Sequence, residues 1–276
     1  MPAKQQDVRA FYDSIGWTLG EDGRYQNARY EDLRPVSQEY IHRCHQRVLR
    51  YIAPHGRLLL DVGSGPLQYP EYLTYSQGYR FRVCADLSIT ALQEARRKLG
   101  TRGLFVVADA AALPFRSDVF DSAVSMHTFH HLPLGRQKRA YLELARTMTP
   151  GATAAVVNGW HEPTLMRLAE PFVGLGRLLA RRGRKRKKDW SQEDDQAGTF
   201  VEKLTPRRLK QDLDGAVEYQ IHPWRSLSPR FMRWFIRPHL GGRSLLSLVF
   251  RLEERFPRFF GEHGQYPLIS VRKLLG

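Results

Sequence analysis

Three aspartates and a group of histidines stand in this sequence at spacings that could support chemistry. Asp61-Val62-Gly63-Ser64-Gly65 places two glycines behind an acid, where a chain turns sharply and lets a ligand approach its backbone. Pro66 then supplies the φ angle of a first helical turn. Asp86 follows 25 residues after Asp61, and a carboxylate so placed accepts hydrogen bonds from both hydroxyls of a ribose. A dinucleotide would want a third glycine where Gln68 stands, so a pyrophosphate resting on this loop is disfavoured. Asp109-Ala110 forms another acidic position. Ser125-Met126-His127 leads to His130 and His131, and a histidine titrating near neutrality can accept a proton from a phenol or an amine.

These residues need strands and helices to bring them together. Short apolar runs at 58–62 (LLLDV), 80–86 (RFRVCAD), 104–109 (LFVVAD), 119–125 (VFDSAVS) and 153–158 (TAAVVN) read as buried strands. Amphipathic periods at 36–53, 89–99 and 135–148 read as helices, the first stopped by Pro54 and Gly56. Strands alternating with helices of this length predict βαβ units and a Rossmann-like, doubly wound α/β sheet. In such sheets ligands lie outside the carboxyl ends of the strands, where Asp61, Asp86, Asp109 and Ser125 fall.

LLLDVGSGP, ADLS, ADAAALPF, VFDSAVSMHTFHHL and MTPGATAAVV together resemble the ordered motifs of class I S-adenosylmethionine-dependent methyltransferases. Within that family they are similar to the small-molecule group that includes the ubiquinone and menaquinone C-methyltransferases. The likeness covers about residues 56–158, with an echo at LTPRRLKQDL (204–213). It implies a mostly parallel sheet with an antiparallel last strand, and S-adenosylmethionine as cofactor. Gly63 and Gly65, with Asp61 before them, would shape the loop beside the methionine part. Asp86 would hold the ribose, Leu87 the adenine face, Asp109 and the Ala110 amide the adenine edge, and Ser125 and Met126 the methionine end. His127 and His130 are then the candidate catalytic residues. Leu67 departs from the family's third glycine and Ala152 from its second glycine after proline, without removing a polar contact. Tyr12, Trp17 and Tyr25 would cover the cofactor mouth.

Methyl transfer from a sulfonium asks mainly for positioning and exclusion of water; it demands no metal. The expected organisation is an N-terminal helical segment over 1–55 and a methyltransferase domain over 56–276, with cap insertions at about 160–203 and 222–264. The expected acceptor is a small, aromatic or lipophilic molecule. Cys44 and Cys84 form neither a zinc motif nor a disulfide framework, and no signal core or membrane-length apolar run occurs, so a cytoplasmic protein, soluble or peripheral, is expected.

Forty-three Lys and Arg against 28 Asp and Glu leave a net charge of +15, the excess being larger in the second half. Leu165, Leu168, Phe172, Leu175, Leu178 and Leu179 at helical spacing precede a basic run, Arg181 to Lys188. Phe231, Trp234, Phe235, Ile236 and then Leu245, Leu248, Leu252 and Phe256 repeat the theme among arginines, which predicts docking to an anionic membrane surface. Nucleic acid is the rival partner, although Ser125-Met126-His127 is not the Asn/Asp-Pro-Pro-aromatic signature of enzymes that methylate base amines. A third reading is a non-catalytic, cofactor-binding protein that docks to membranes.

Overall fold

In the computed structural model, residues 3–18, 20, 25–171 and 199–274 are described. The chain opens with α1 (Ala3–Phe11), which runs into a π-helical turn over Tyr12–Gly16, and α2 (Gln38–Gln46). Strand β1 (Gly56–Val62) starts the sheet. It is followed by α3 (Pro70–Thr74), β2 (Tyr79–Asp86), α4 (Ile89–Leu99), β3 (Gly103–Val107), β4 (Phe120–Met126), α5 (Leu134–Thr147) and β5 (Met148–Val157). After helical residues 164–171 come α6 (Pro206–Leu213), β6 (Glu218–Arg225), α7 (Pro229–Phe235), α8 (Gly242–Arg255), α9 (Pro257–His263) and β7 (Tyr266–Arg272).

The seven strands lie in the order β3-β2-β1-β4-β5-β7-β6, and β7 runs against both of its neighbours while the other pairings are parallel. This is the expected doubly wound sheet with its antiparallel last strand. Because the order reverses between β1 and β4, their carboxyl ends diverge and open a crevice.

Both faces of the sheet are covered, which is why β1 reads as a continuous apolar run. Leu59 and Leu60 point to opposite faces and both are fully buried. Leu60, Val62 and Ala123 pack with Tyr141 and Leu144 of α5 and Leu209 of α6. Leu59, Cys84 and Val124 pack with Tyr40 and Cys44 of α2 and with Met232, Leu246 and Phe250 from the C-terminal helices. Three helix starts are fixed by hydroxyl caps: Ser88 accepts from the Ala91 amide, Thr205 from that of Arg208 and Ser228 from that of Phe231.

Strand β6 runs as far as Arg225, since it is an edge strand and tolerates Pro223 beside an irregularity in its pairing with β7. The expected helix over 36–53 changes to a 3₁₀ turn at Arg47–Arg50. Of the first apolar stripe, Leu165 and Leu168 are described; Phe172 to Leu179 and the basic run Arg181 to Lys188 lie outside the described residues.

Candidate active site

The loop after β1 begins the site. Gly63 and Gly65 have φ of +69° and +55°, in the left-handed region where a side chain is strained. A Cβ on Gly63 would meet the Thr128 side chain at 2.2 Å, and one on Gly65 the Trp17 ring at 3.0 Å, so the loop is closed from both sides. Leu67, in the position of the family's third glycine, also has a positive φ, +53°. Its side chain is buried, so packing offsets a backbone cost of about 1–2 kcal/mol.

Asp86 closes β2 beside that loop. One carboxylate oxygen accepts from the Gly65 amide and the other from the Ser88 amide, each at 2.8 Å. Burial pushes this carboxyl up to about 6, against the two amides that favour its ionised form. Ser88 also donates to Asp13, which ties the N-terminal turn to the end of β2. That turn covers the cleft: Tyr12 stacks on Trp17 with centroids 4.8 Å apart, and its hydroxyl bonds to His131 Nε2 at 2.9 Å. Tyr25 stands behind Trp17, edge-on at 6.1 Å, rather than on the cleft itself.

A cavity of about 370 Å³ runs from this loop along the strand ends. Gly63, Gly65, Asp86, Leu87, Ala110, Met126, His127 and His130 line it, as do Tyr12 and Trp17. Three expected cofactor residues are not on its wall. Asp61 points into the core and accepts from Arg82 Nε at 3.0 Å and Nη2 at 2.5 Å, both side chains being almost fully buried. Ser125 is buried and donates to the Val62 carbonyl at 2.8 Å, joining β4 to β1. The Asp109 carboxylate accepts from the Ala111 amide and pairs with Arg136 of α5 at 2.8 Å, while its neighbours Ala108 and Ala110 face the cavity.

The far end of the cavity contains residues that motif reading passed over. Glu31, Tyr69, Tyr72, Lys203, Arg225 and Tyr266 line it beyond His127 and His130. Glu31 accepts from Arg225 and pairs with His45 Nε2 at 3.3 Å. Burial works to raise its carboxyl, but Arg225 and His45 outweigh that and hold it well below the usual range. The signal available in sequence was slight: an acid in a polar opening and an arginine behind a tryptophan.

His127 has a φ of +57°, and its ring lies edge-on to Trp224 at 5.0 Å and to Tyr266 at 5.3 Å. Burial pushes it down to about 3 despite the pull of Glu31. Burial likewise lowers His131 to about 4, and it holds His130 well below its usual value. All three are therefore neutral near pH 7, and His131 is locked between Tyr12 and the Phe200 carbonyl, 2.8 Å from its Nδ1. His127 thus stands unprotonated on the cavity wall, a weaker base than an ordinary histidine. Among the described residues, no group of His, Cys, Asp and Glu is arranged to hold a metal ion.

The near end of the cavity suits an adenosine-bearing cofactor. Its glycine loop leaves no room for added side chains, Asp86 keeps lone pairs for a ribose, and the buried Trp17 Nε1 has no partner. Residues 60–156 match the family model described as a methyltransferase domain. The ubiquinone/menaquinone biosynthesis C-methyltransferase UbiE of Paracoccus denitrificans is 29% identical over 163 residues, 56% of this chain and 63% of that enzyme. The tRNA (carboxymethyluridine(34)-5-O)-methyltransferase of Arabidopsis thaliana is 29% identical over 134 residues, 42% of this chain and 31% of that enzyme. The matches thus span less than two thirds of either relative's length. Geranyl diphosphate C-methyltransferase from Streptomyces coelicolor A3(2), solved with Mg2+, geranyl diphosphate and S-adenosyl-L-homocysteine, superposes with a TM-score of 0.58. That superposition covers 99% of this chain and 98% of that one at 16% identity, a likeness of fold. Residues 60–156 thus match a methyltransferase domain, and the sheet that carries them has the strand order and antiparallel last strand of the class I S-adenosylmethionine-dependent methyltransferase fold.

Proposed function

We propose that this protein transfers a methyl group from S-adenosylmethionine to a small, aromatic or lipophilic acceptor, in the cytoplasm and at an anionic membrane surface. The observation that carries the reading is the continuity of one cavity from the Gly63–Gly65 loop and Asp86 to an end walled by Tyr69, Tyr72, His127 and Tyr266. When bound, the cofactor supplies an electrophilic methyl group on a sulfonium, open to in-line displacement. In this reading, the protein's own residues mainly position and exclude water. Asp86 holds the ribose, Ala110 lies at the adenine, Trp17 and Tyr12 cover the cleft, and the aromatic end orients the acceptor. With His127, His130 and His131 neutral and poorly basic, the acceptor brings a nucleophile that needs no protein base.

RNA is the acceptor that the net charge of +15 and the tRNA-modifying relative favour. The aromatic, largely buried end of the cavity favours a small molecule instead. Incubation with methyl-labelled cofactor and a lipid-plus-metabolite extract, beside total RNA, separates the two. Label in a small lipophilic product is expected; label confined to RNA overturns the small-acceptor reading, and label in neither overturns methyl transfer.

The surface that would meet lipid is the outer line of α8 and α9. Leu245, Leu248, Leu252, Phe256 and Phe259 are 38% to 51% exposed there, among exposed Arg243, Arg251, Arg255 and Arg258. A second copy packed on this line about a two-fold axis would set arginines against arginines, whereas anionic headgroups complement them.

A further inference from the structure

Arg225 ends β6 opposite Tyr266 of β7 and is 3% exposed, yet it lines the cavity. Its Nη1 donates to Glu31, and its guanidinium lies 5.0 Å from the Trp224 ring centroid and 4.9 Å from that of Tyr266. Its Nε–H, buried with the rest, has no hydrogen-bond partner. A charged donor left unmade inside a protein costs more than an ordinary hydrogen bond returns, so such a group is kept where something else completes it. Glu31 is not that partner. It is held on the Nη1 side by Arg225 and on its other oxygen by His45.

The surroundings point the same way. Gln68, His130 and Thr199, which line this cavity, also carry buried polar atoms without partners: Oε1, Nδ1 and Oγ1. Tyr69, Tyr72, His127 and Tyr266 line the same cavity. His127 follows Met126 at the end of β4 and feels the charges of both Glu31 and Arg225, so this polar group adjoins the strand end.

We propose that Arg225 anchors the acceptor: its free Nε–H takes a carboxylate or phenolate oxygen of a planar molecule, in a position fixed by the Glu31 pair. The two sources of anionic oxygen share this chemistry, since both offer a charge-assisted acceptor to one N–H of a rigid guanidinium. Arg225 is on this view a specificity residue. The proposal rests on the methyl-transfer reading for what the anchored molecule is used for, while its binding can be measured independently.

Calorimetric titration of the full chain, free and loaded with S-adenosylhomocysteine, tests it with two probe pairs. Benzoate against benzamide is the carboxylate arm, and 4-nitrophenolate against nitrobenzene the phenolate arm. In at least one arm the anion is expected to bind on the order of tenfold to a hundredfold more tightly than its neutral counterpart. Arg225→Lys keeps a countercharge for Glu31 but has no Nε–H, and should bring that preference to within roughly threefold while S-adenosylhomocysteine affinity stays unchanged. The double variant E31Q/R225Q, which removes both charges together, should do the same and serves if the lysine is not accommodated. A wild-type protein without preference in either arm overturns the proposal, as does a preference that survives Arg225→Lys. Failure of S-adenosylhomocysteine to bind would overturn the methyltransferase reading alone, because the probe titrations on the free protein still decide the role of Arg225.

Discussion

At the scale of single residues, the site separates into positions that a spacing rule can find and positions that only contact reveals. Gly63, Gly65, Asp86 and Ala110 fall on the cavity wall where their spacing puts them, because the backbone of strand-loop-helix units fixes these places, and spacing encodes backbone. Asp61 and Ser125 do not, because a place at a strand end does not say which way a side chain turns. The Arg82 that claims Asp61 lies 21 residues on, in the neighbouring strand β2. Glu31 and Arg225 pair across 194 residues, a distance at which no local pattern operates. Asp86 allows a direct test. Asp86→Ala should weaken S-adenosylmethionine binding by about 1.5–3 kcal/mol, measured by calorimetry, with the fold retained. Only the ionised carboxylate accepts from both ribose hydroxyls, so affinity should be level well above pH 6 and decline as pH falls through about 6, the value to which burial raises this group. An affinity flat from pH 5 to 8 would contradict the assignment. His127→Ala should raise KM for the acceptor and leave the pH profile of kcat unchanged between 5 and 8, since a histidine lowered to about 3 does not titrate there. A lost acid limb in that profile would mark His127 as a base.

Among the secondary-structure elements, hydrophobic period found the helices but not their rotation. In α8 the apolar residues form two adjacent lines. Sequence reading took Leu245, Leu248, Leu252 and Phe256 as the functional stripe, and the fold buries the neighbouring line of Leu246, Phe250 and Glu253. Hydropathy would place Glu253 outside; ion pairing places it inside. Its carboxylate accepts from Arg47 Nη1 at 2.8 Å, from the Tyr40 hydroxyl at 2.7 Å and from the Ser226 amide at 2.8 Å, joining α2, β6 and α8. The second expected stripe divides similarly, with Ile236 fully buried and Phe231 stacked on Phe235 at 4.8 Å. Replacing Glu253 with leucine leaves the buried Arg47 with the Trp224 carbonyl and the half-exposed carboxylate of Glu254 but no buried countercharge, so the variant should lose about 3–5 kcal/mol of stability. Denaturant unfolding followed by circular dichroism checks this, and a loss under 1 kcal/mol would mean that the pair is not what orients α8.

For the whole molecule, charge and apolar surface have to be judged together. The net charge of +15 alone is compatible with RNA or lipid, and under the proposed function the arginines around the exposed line of α8 and α9 are the cations that would meet anionic lipid. Among the described residues no helix is long and apolar enough to cross a membrane. The full chain should co-sediment with vesicles containing phosphatidylserine and not with purely zwitterionic ones, and the binding should weaken with added salt. Leu248→Ser with Phe256→Ser should reduce it at constant salt. Absence of binding to anionic vesicles at low ionic strength would direct the acceptor search to water-soluble metabolites.

Under the proposed function, the N-terminal turn would also set the timing of the catalytic cycle. Trp17 lies over the glycine loop and Tyr12 is bonded to His131, so a nucleotide bound beneath them would have to displace the turn to leave. Under the proposed function, the spent cofactor would depart last and its successor would enter before any acceptor, so exchange rather than chemistry would limit turnover when acceptor is plentiful. Such an enzyme would be strongly inhibited by its own demethylated by-product, and its output would follow how quickly the surrounding cell clears that by-product.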